Sequence, residues 1–231
     1  MVRVAVTTSA DGVGRVAGLV AGAGLTPVAL PCIRIEPAPP RVLAGLREAA
    51  ASADLILVTS PRAVRLLWPE GGMPRAPVAA VGEATADAVR SAGGRVELAG
   101  EAGAEVLVDR LIDGGVEGRT IVFPRARAAD PTGARRLVTA GARIVSDVAY
   151  RTIPVAPGPD PVAAALFGSP SAVTGWISGR PLDRLVLAAM GGRSAAALVA
   201  AGRPPDVVAE RSGFPSLVAA LADHLAERSA P

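Results

Sequence analysis

The sequence predicts an α/β protein in which helices cover parallel sheets, and three observations lead to this prediction. Strand-like apolar runs alternate with amphipathic helical patterns along most of the chain. A block of sequence recurs in the second half, and two Pro-rich segments interrupt the alternation. Alternating strands and helices imply right-handed crossovers between parallel strands, which is the doubly wound architecture.

The apolar runs have the length and composition of buried strands. The chain is 50% hydrophobic but only 3% aromatic, so its cores must be aliphatic, and aliphatic strands buried on both faces are typical of parallel sheets. The predicted strands are 2–7, 27–31, 55–59, 77–81, 96–98, 120–123, 143–148, 163–167, 184–189 and 206–208. The predicted helices include 41–50, 83–92, 104–112, 132–140, 194–201 and 215–228. Gly24, Gly93, Gly141 and Gly202 each follow a helical pattern, where a C-terminal cap favours positive φ.

The recurring block indicates two related halves. Residues 59–64 (TSPRAV) recur as residues 168–173 (GSPSAV), an offset of 168 − 59 = 109. Residues 78–82 (VAAVG) recur as residues 187–191 (LAAMG), and 187 − 78 is again 109. Blocks that keep one order and one register indicate repeated structural units.

The two Pro-rich segments, 33–40 and 150–159, suggest where domains begin and end. They bracket about five strand–helix units, and the two chain ends together supply about five more strands. We therefore predict an inserted domain of residues 38–149 and a discontinuous domain of residues 1–34 plus 155–231. Residues 35–37 and 150–154 are the predicted extended linkers. Each domain is expected to be flavodoxin-like with a parallel five-stranded sheet.

The residue types that are missing exclude several kinds of chemistry. All 24 basic residues are Arg, because the sequence contains no Lys, and it has one Cys (Cys32) and one His (His224). A Lys Schiff base and a Walker phosphate loop are excluded, and a zinc or thiolate site is not expected. We therefore expect no cofactor and no metal. Basic and acidic residues are interspersed without aromatic platforms, so nucleic-acid binding is not expected either.

The lengths of the apolar runs and the N-terminal residues predict the localisation. No apolar run is long enough to span a bilayer. The N-terminal MVRVAVTT runs directly into a strand pattern and lacks the features of a signal peptide. We expect a cytoplasmic protein without a membrane partner, and we expect it to be a monomer.

The pieces LILVTSPRAV, VAAVGEATADAV, GSPSAV and AMGGRSAAAL, with the strand that ends in AYRTIP, resemble the uroporphyrinogen-III synthase family over essentially the whole chain. The resemblance implies a cofactor-free lyase that cyclises the linear tetrapyrrole hydroxymethylbilane in the cleft between its domains and inverts ring D. Its eight-carboxylate substrate would be held by backbone N–H groups and hydroxyls at strand-to-helix turns. Helix N-termini suit such anions, since they carry unpaired N–H donors and a positive dipole end.

The resemblance also assigns candidate site residues. Tyr150, the only Tyr, matches the family's Tyr and would assist departure of the substrate hydroxyl as the azafulvenium cation forms. It lies in a predicted linker, where we expect little packing demand. The candidate substrate-binding residues are Ser60, Arg62, Gly82, Thr85, Ser169, Ser171, Gly191 and Ser194. For each Ser or Thr the alternative is a helix cap, and for Arg62 it is a solvated turn residue.

Two departures from the family pattern leave alternatives open. The first strand ends in Thr7-Thr8-Ser9, where many members have an Arg-Pro pair, and the stretch 155–162 is too short for the helix expected there. A catalytically degenerate, two-lobed binder of an anionic small molecule is therefore one alternative. A nucleotide-binding protein is another, since Gly12, Gly14 and Gly18 follow a strand in a fingerprint-like spacing. No acidic residue ends the second strand, where that fingerprint needs a ribose partner.

Overall fold

A computed structural model of the chain describes residues 1–100 and 103–228. The strands are β1 (Arg3–Val6), β2 (Thr26–Ala29), β3 (Ile33–Pro37), β4 (Leu55–Val58), β5 (Pro77–Val81), β6 (Arg95–Gly100), β7 (Thr120–Ala126), β8 (Arg143–Pro154), β9 (Ala164–Phe167), β10 (Val186–Ala189) and β11 (Val207–Val208). The helices are α1 (Ala10–Gly22), α2 (Pro40–Ala51), α3 (Pro61–Leu67), α4 (Glu83–Ser91), α5 (Ala104–Asp113), α6 (Thr132–Thr139), α7 (Pro170–Ile177), α8 (Gly192–Ala200) and α9 (Phe214–Glu227). The chain divides into two compact units, Met1–Ile35 with Thr152–Pro231, and Glu36–Arg151.

The first unit contains a five-stranded sheet in the order β11-β10-β9-β1-β2, and its strand pairs are parallel. Alternate residues of its central strands enter two separate cores. Val4 and Leu166 pack on one face, whereas Ala5 and Phe167 pack on the other. Burial on both faces explains why these strands are continuous apolar runs in the sequence. In chain order the strands read 2-1-3-4-5, which is the flavodoxin order.

The second unit contains a sheet in the order β3-β8-β7-β4-β5-β6. The α/β class with parallel strands is confirmed, as is the five-stranded sheet of the first unit. Five strands are wrong for the second unit, because β3 pairs with β8 at its edge and makes a sixth strand. The Pro-rich pattern predicts extended linkers for both segments, and such linkers would leave backbone N–H and C=O groups without partners in the protein. Two extended segments that run side by side satisfy each other's N–H and C=O groups.

Hydrogen bonds at both ends of this strand pair show its direction. Ala38 N–H donates to Ala149 C=O at 2.9 Å, and Val155 N–H donates to Cys32 C=O at 2.8 Å. The partner number falls as the residue number rises, which is the antiparallel pattern. Residues 35–37 and 150–154 are therefore strand residues, and the chain passes from one unit to the other within β3 and within β8.

The strand registers reveal that the two units are circular permutations of one sheet. In the first unit Val4 pairs with Ala164, and in the second Ile121 pairs with Leu55. Leu55 and Ala164 differ by 109, the offset of the sequence repeat, while Val4 and Ile121 differ by 117. The offset of 117 also carries β2 onto β8, since Thr26 and Arg143 each lie 23 residues after their partners in β1 and β7. Without β3, the second sheet therefore reads 3-2-1-4-5 in chain order and not 2-1-3-4-5.

Candidate active site

The candidate residues of the second unit lie where β4 and β5 end. Because parallel strands share a carboxyl edge, the turns after these strands open on the same side of the sheet. Ser60 caps α3: its Oγ accepts a hydrogen bond from Arg62 N–H at 3.2 Å, and Pro61 occupies the first helical position. A Ser followed by Pro is a strong helix start, since the hydroxyl satisfies one orphan donor and Pro lacks another.

Tyr150 lies against this cap. Its hydroxyl donates to Ser60 Oγ at 3.0 Å, and the Arg62 Cζ lies 5.7 Å from the centre of its ring. Only 5% of Tyr150 is exposed, whereas Ser60 and Arg62 are half-buried. The expectation of low packing demand at Tyr150 is therefore wrong. The residue belongs to β8, whose pairing with β7 holds the ring inside the unit.

Gly82 and Thr85 belong to the next turn of the same sheet. Gly82 precedes α4 with φ 77°, a conformation that favours glycine, and donates its own N–H to Gly100 C=O at 2.8 Å. Thr85 is buried, with 2% exposed. An anion at this turn would rely on first-turn amides, and it would meet Glu83 there. The Glu83 carboxylate is already paired with Arg90 at 2.6 Å.

The other candidates lie in the first unit. Ser169 caps α7 and accepts from Ala172 N–H at 3.3 Å, and half-buried Ser171 lies in the first turn of that helix. Gly191 precedes α8, and Ser194 is 4% exposed in its first turn. The first turn of α8 contains no acidic residue. This helix start is therefore electrostatically more suitable for an anion than that of α4.

Sequence reasoning did not include further polar residues at the strand ends among the site candidates. Order reverses between β4 and β7 in one sheet and between β9 and β1 in the other, and such switch points are where α/β sheets bind ligands. Arg125 and Arg127 lie at the end of β7, and the Arg127 N–H donates to Tyr150 C=O at 2.9 Å. Thr7 and Ser9 follow β1 and are fully buried or nearly so. The offset of 117 places the ends of β1 and β7 at equivalent positions. Recognising this offset in the sequence would have pointed to the polar residues there.

The glycines of the nucleotide-binding alternative do not form a phosphate turn. Gly12, Gly14 and Gly18 all lie inside α1, which begins after Ser9. In a dinucleotide fingerprint the first glycines form the turn before the helix, so that the backbone can approach the pyrophosphate. This arrangement disfavours the nucleotide-binding alternative.

Neither a metal centre nor a reactive thiol is found among the titratable groups that the structure describes. Among the residues that the structure describes, no group of three or more His, Cys, Asp and Glu could hold a metal ion. Cys32 is fully buried, and burial raises the pKa of its thiol to about 12 despite the opposing effect of Arg180. A thiol with this pKa is protonated at neutral pH, so Cys32 is not a nucleophile.

The sequence comparison identifies the family. Residues 14–219 of the 231 match the family described as uroporphyrinogen-III synthase HemD. The chain is a member of the uroporphyrinogen-III synthase family. Its function therefore lies in tetrapyrrole biosynthesis. No curated protein sequence matches the chain significantly.

Solved uroporphyrinogen-III synthases share the fold. A mutant enzyme from the extremely thermophilic bacterium Thermus thermophilus aligns with a TM-score of 0.63 and 22% identity, over 98% of this chain and 100% of that one. The wild-type Thermus enzyme aligns with a TM-score of 0.54 and 24% identity over the full length of both chains. The uroporphyrinogen-III synthetase of Helicobacter pylori aligns with a TM-score of 0.63 and 18% identity, over 88% of this chain and 93% of that one. Across the described residues, no helix is long and apolar enough to cross a membrane.

Proposed function

We propose that this synthase-family chain converts hydroxymethylbilane to uroporphyrinogen III as a cofactor-free lyase, working as a monomer in the cytoplasm. The observation that carries the proposal is the hydrogen bond from Tyr150 to Ser60 beside Arg62. It places a hydroxyl pair and a guanidinium together at the carboxyl edge of a parallel sheet. Loss of the substrate hydroxyl needs a hydrogen-bond or proton donor, and the carboxylates around it need cations or N–H donors.

The remaining candidates support substrate binding. Ser169 and Ser171 stand at the start of α7, and Gly191 and Ser194 stand at the start of α8. Gly82 and Thr85 hold the corresponding turn of the other sheet. In this proposal helix starts collect the carboxylates, and folding of the substrate brings the cation at one end to the substituted carbon of ring D. The spiro intermediate then fragments and recloses with ring D inverted.

The test is an isomer assay. Purified protein, with no added metal or cofactor, is incubated with hydroxymethylbilane, and the oxidised products are separated by chromatography. We expect the type III isomer. Formation of the spontaneous type I isomer alone would overturn the enzymatic proposal. If the protein also bound the substrate tightly in that case, the degenerate binder would be the better description, and the short segment 155–163 would be its structural basis.

A further inference from the structure

The hydrogen bonds around the Ser60 hydroxyl leave only its O–H donor unused. A serine oxygen has two acceptor positions and one O–H donor. Both acceptor positions are taken, one by Arg62 N–H at 3.2 Å and one by the Tyr150 hydroxyl at 3.0 Å. Within residues 1–100 and 103–228, the Ser60 O–H has no protein acceptor of its own. Its proton is therefore free for a ligand.

Burial separates the two hydroxyls. Tyr150 is 5% exposed, and its hydroxyl, as the more acidic of the two, donates to Ser60 Oγ. Ser60 is half-buried at the start of α3, at the carboxyl edge of the sheet. Ser60 is therefore the more accessible residue of the hydroxyl pair at that edge.

The duplicated fold shows that this pairing is more than a helix cap. Ser169 is the repeat equivalent of Ser60 at the offset of 109, and it makes the same cap with Pro at the first helical position. At the offset of 117, Ile33 is the repeat equivalent of Tyr150, and Arg34 is the repeat equivalent of Arg151. Ile33 belongs to the apolar core that includes residues of α7. Capping therefore needs no phenol, and only the second unit has one.

We propose that Ser60 is the catalytic residue that donates to the leaving hydroxyl, and that Tyr150 is a positioning residue that acts through it. This inference rests on the proposed function. The Ser60 Oγ–H proton moves to the substrate hydroxyl, the C–O bond breaks, and water leaves. The pyrrole nitrogen supplies the electron pair that forms the azafulvenium cation. The Tyr150 proton replaces the one lost by Ser60, and the C–H proton released when the last pyrrole regains aromaticity restores the phenol.

Physical chemistry favours this order over serine alone. An aliphatic hydroxyl is a much weaker acid than a phenol, whose ordinary pKa is about 10. A hydroxyl that accepts hydrogen bonds becomes a stronger donor, because chains of hydrogen bonds polarise one another. Ser60 accepts two such bonds, so its O–H is the most polarised of the serines at these turns.

A double-mutant cycle tests the relay. Tyr150→Phe removes only the phenol oxygen, and Ser60→Gly removes the hydroxyl while leaving a good N-cap residue. We expect each single variant to lower the single-turnover rate by about 100-fold. The double variant should be within about threefold of the slower single variant, since each change breaks the same relay. Ser60→Thr, which keeps the hydroxyl and the cap, should recover most of the rate. Thermal unfolding checks that all variants are folded.

The control cycle combines Tyr150→Phe with Ser169→Gly. Ser169 caps its own helix and is not part of the relay, so its effect on kcat/KM should multiply with that of Tyr150→Phe. Multiplicative effects for Tyr150 and Ser60 would overturn the relay, and so would a wild-type rate in Tyr150→Phe or a Ser60→Thr variant as slow as Ser60→Gly. A wild-type protein that forms no type III isomer would overturn the proposed function and the relay with it. The wild-type assay detects that failure without any variant, so it can be distinguished from a failure of the relay.

Discussion

At the scale of single residues, Gly175 illustrates how closely α7 approaches its neighbours. A Cβ at this position would lie 2.0 Å from the Cys32 carbonyl oxygen and 2.7 Å from that of Val155. Both atoms belong to backbone, which cannot rotate away as a side chain can. Gly175 is helical, so its role is this close approach and not an unusual φ.

The glycine contacts predict opposite effects of one substitution at two helical positions. Gly175→Ala should lower the free energy of unfolding by about 1–3 kcal/mol or more, because the methyl group overlaps backbone oxygens. Gly45→Ala in α2 should instead raise it by about 0.5–1 kcal/mol, since no atom lies within 4 Å of its Cβ position. Urea unfolding of both variants checks this. A neutral Gly175→Ala would contradict the described packing of α7.

The buried thiol of Cys32 predicts an alkaline loss of stability. Its Sγ donates to Leu30 C=O at 3.3 Å, and burial raises its pKa from 9.0 to about 12. The folded state therefore retains the proton that the unfolded state releases. The stabilising contribution is fully present below pH 9 and is lost as pH rises towards 12.

Comparison with Cys32→Ala isolates this effect. The absence of Lys helps, because few side chains of this sequence belong to types that ionise in that range. The stability difference between wild type and variant should shrink by at most about 2 kcal/mol between about pH 8 and about pH 10.5. Urea titrations at both pH values measure it. A constant difference would show that the thiol ionises equally in both states.

At the scale of elements, residues 155–163 form a segment without helix or strand where a helix was expected, and Arg180 holds this segment in place. The Arg180 guanidinium donates to Gly158 C=O at 3.1 Å and to Asp160 C=O at 2.7 Å. It also stacks 4.7 Å from the Trp176 ring centre. A single planar side chain thus satisfies carbonyls that would otherwise depend on solvent.

We therefore expect Arg180→Met to loosen this segment. Thermolysin should cleave within 155–163 faster in the variant than in the wild type, because cleavage requires local opening. Arg15→Met, on the exposed surface of α1, removes the same charge elsewhere and should leave the cleavage rate unchanged. Mass spectrometry of the fragments locates the cut. Equal rates in the two variants would assign the order of the segment to its other contacts, such as that of Arg3 with Pro161 C=O.

At the scale of the whole molecule, the second unit has what an independent domain requires. It carries its own sheet, and one hydrophobic core that includes Leu57, Leu107 and Leu137 lies entirely within residues 36–151. A unit of this length buries enough apolar surface to fold alone. The domain assignment itself stays a proposal, and it differs by two residues at each end from the boundaries that the Pro-rich segments suggested.

The isolated segment 36–151 should therefore unfold cooperatively. Circular dichroism should show a single sigmoidal transition in urea, since one continuous core connects its helices and strands. The full-length chain is the control for helix content. A fragment that is unfolded in buffer would contradict the proposal and would indicate that both units share one folding transition.

The sequence by itself determined the fold class, one of the two offsets and the helix starts. Strands buried on both faces are aliphatic runs, so the local composition of the sequence predicts where they lie. Ser60 and Ser169 are recognisable as caps because a cap is a local interaction with the next turn. The resemblance to the family likewise rests on local pieces of sequence such as LILVTSPRAV and GSPSAV.

Only the tertiary structure decided the permuted order of the strands, the edge pairing of β3 with β8, and the partner of Tyr150. Strand order depends on which apolar run hydrogen-bonds to which, and all such runs have similar composition. Tyr150 lies 90 residues from Ser60, and a register shift between Arg125 and Ala126 changes the alignment of β8 with β7 just before Tyr150. Side chains alternate between faces along a strand, so a slip of one residue would turn the phenol away. Pairing over such a distance is set by register, which no local pattern encodes.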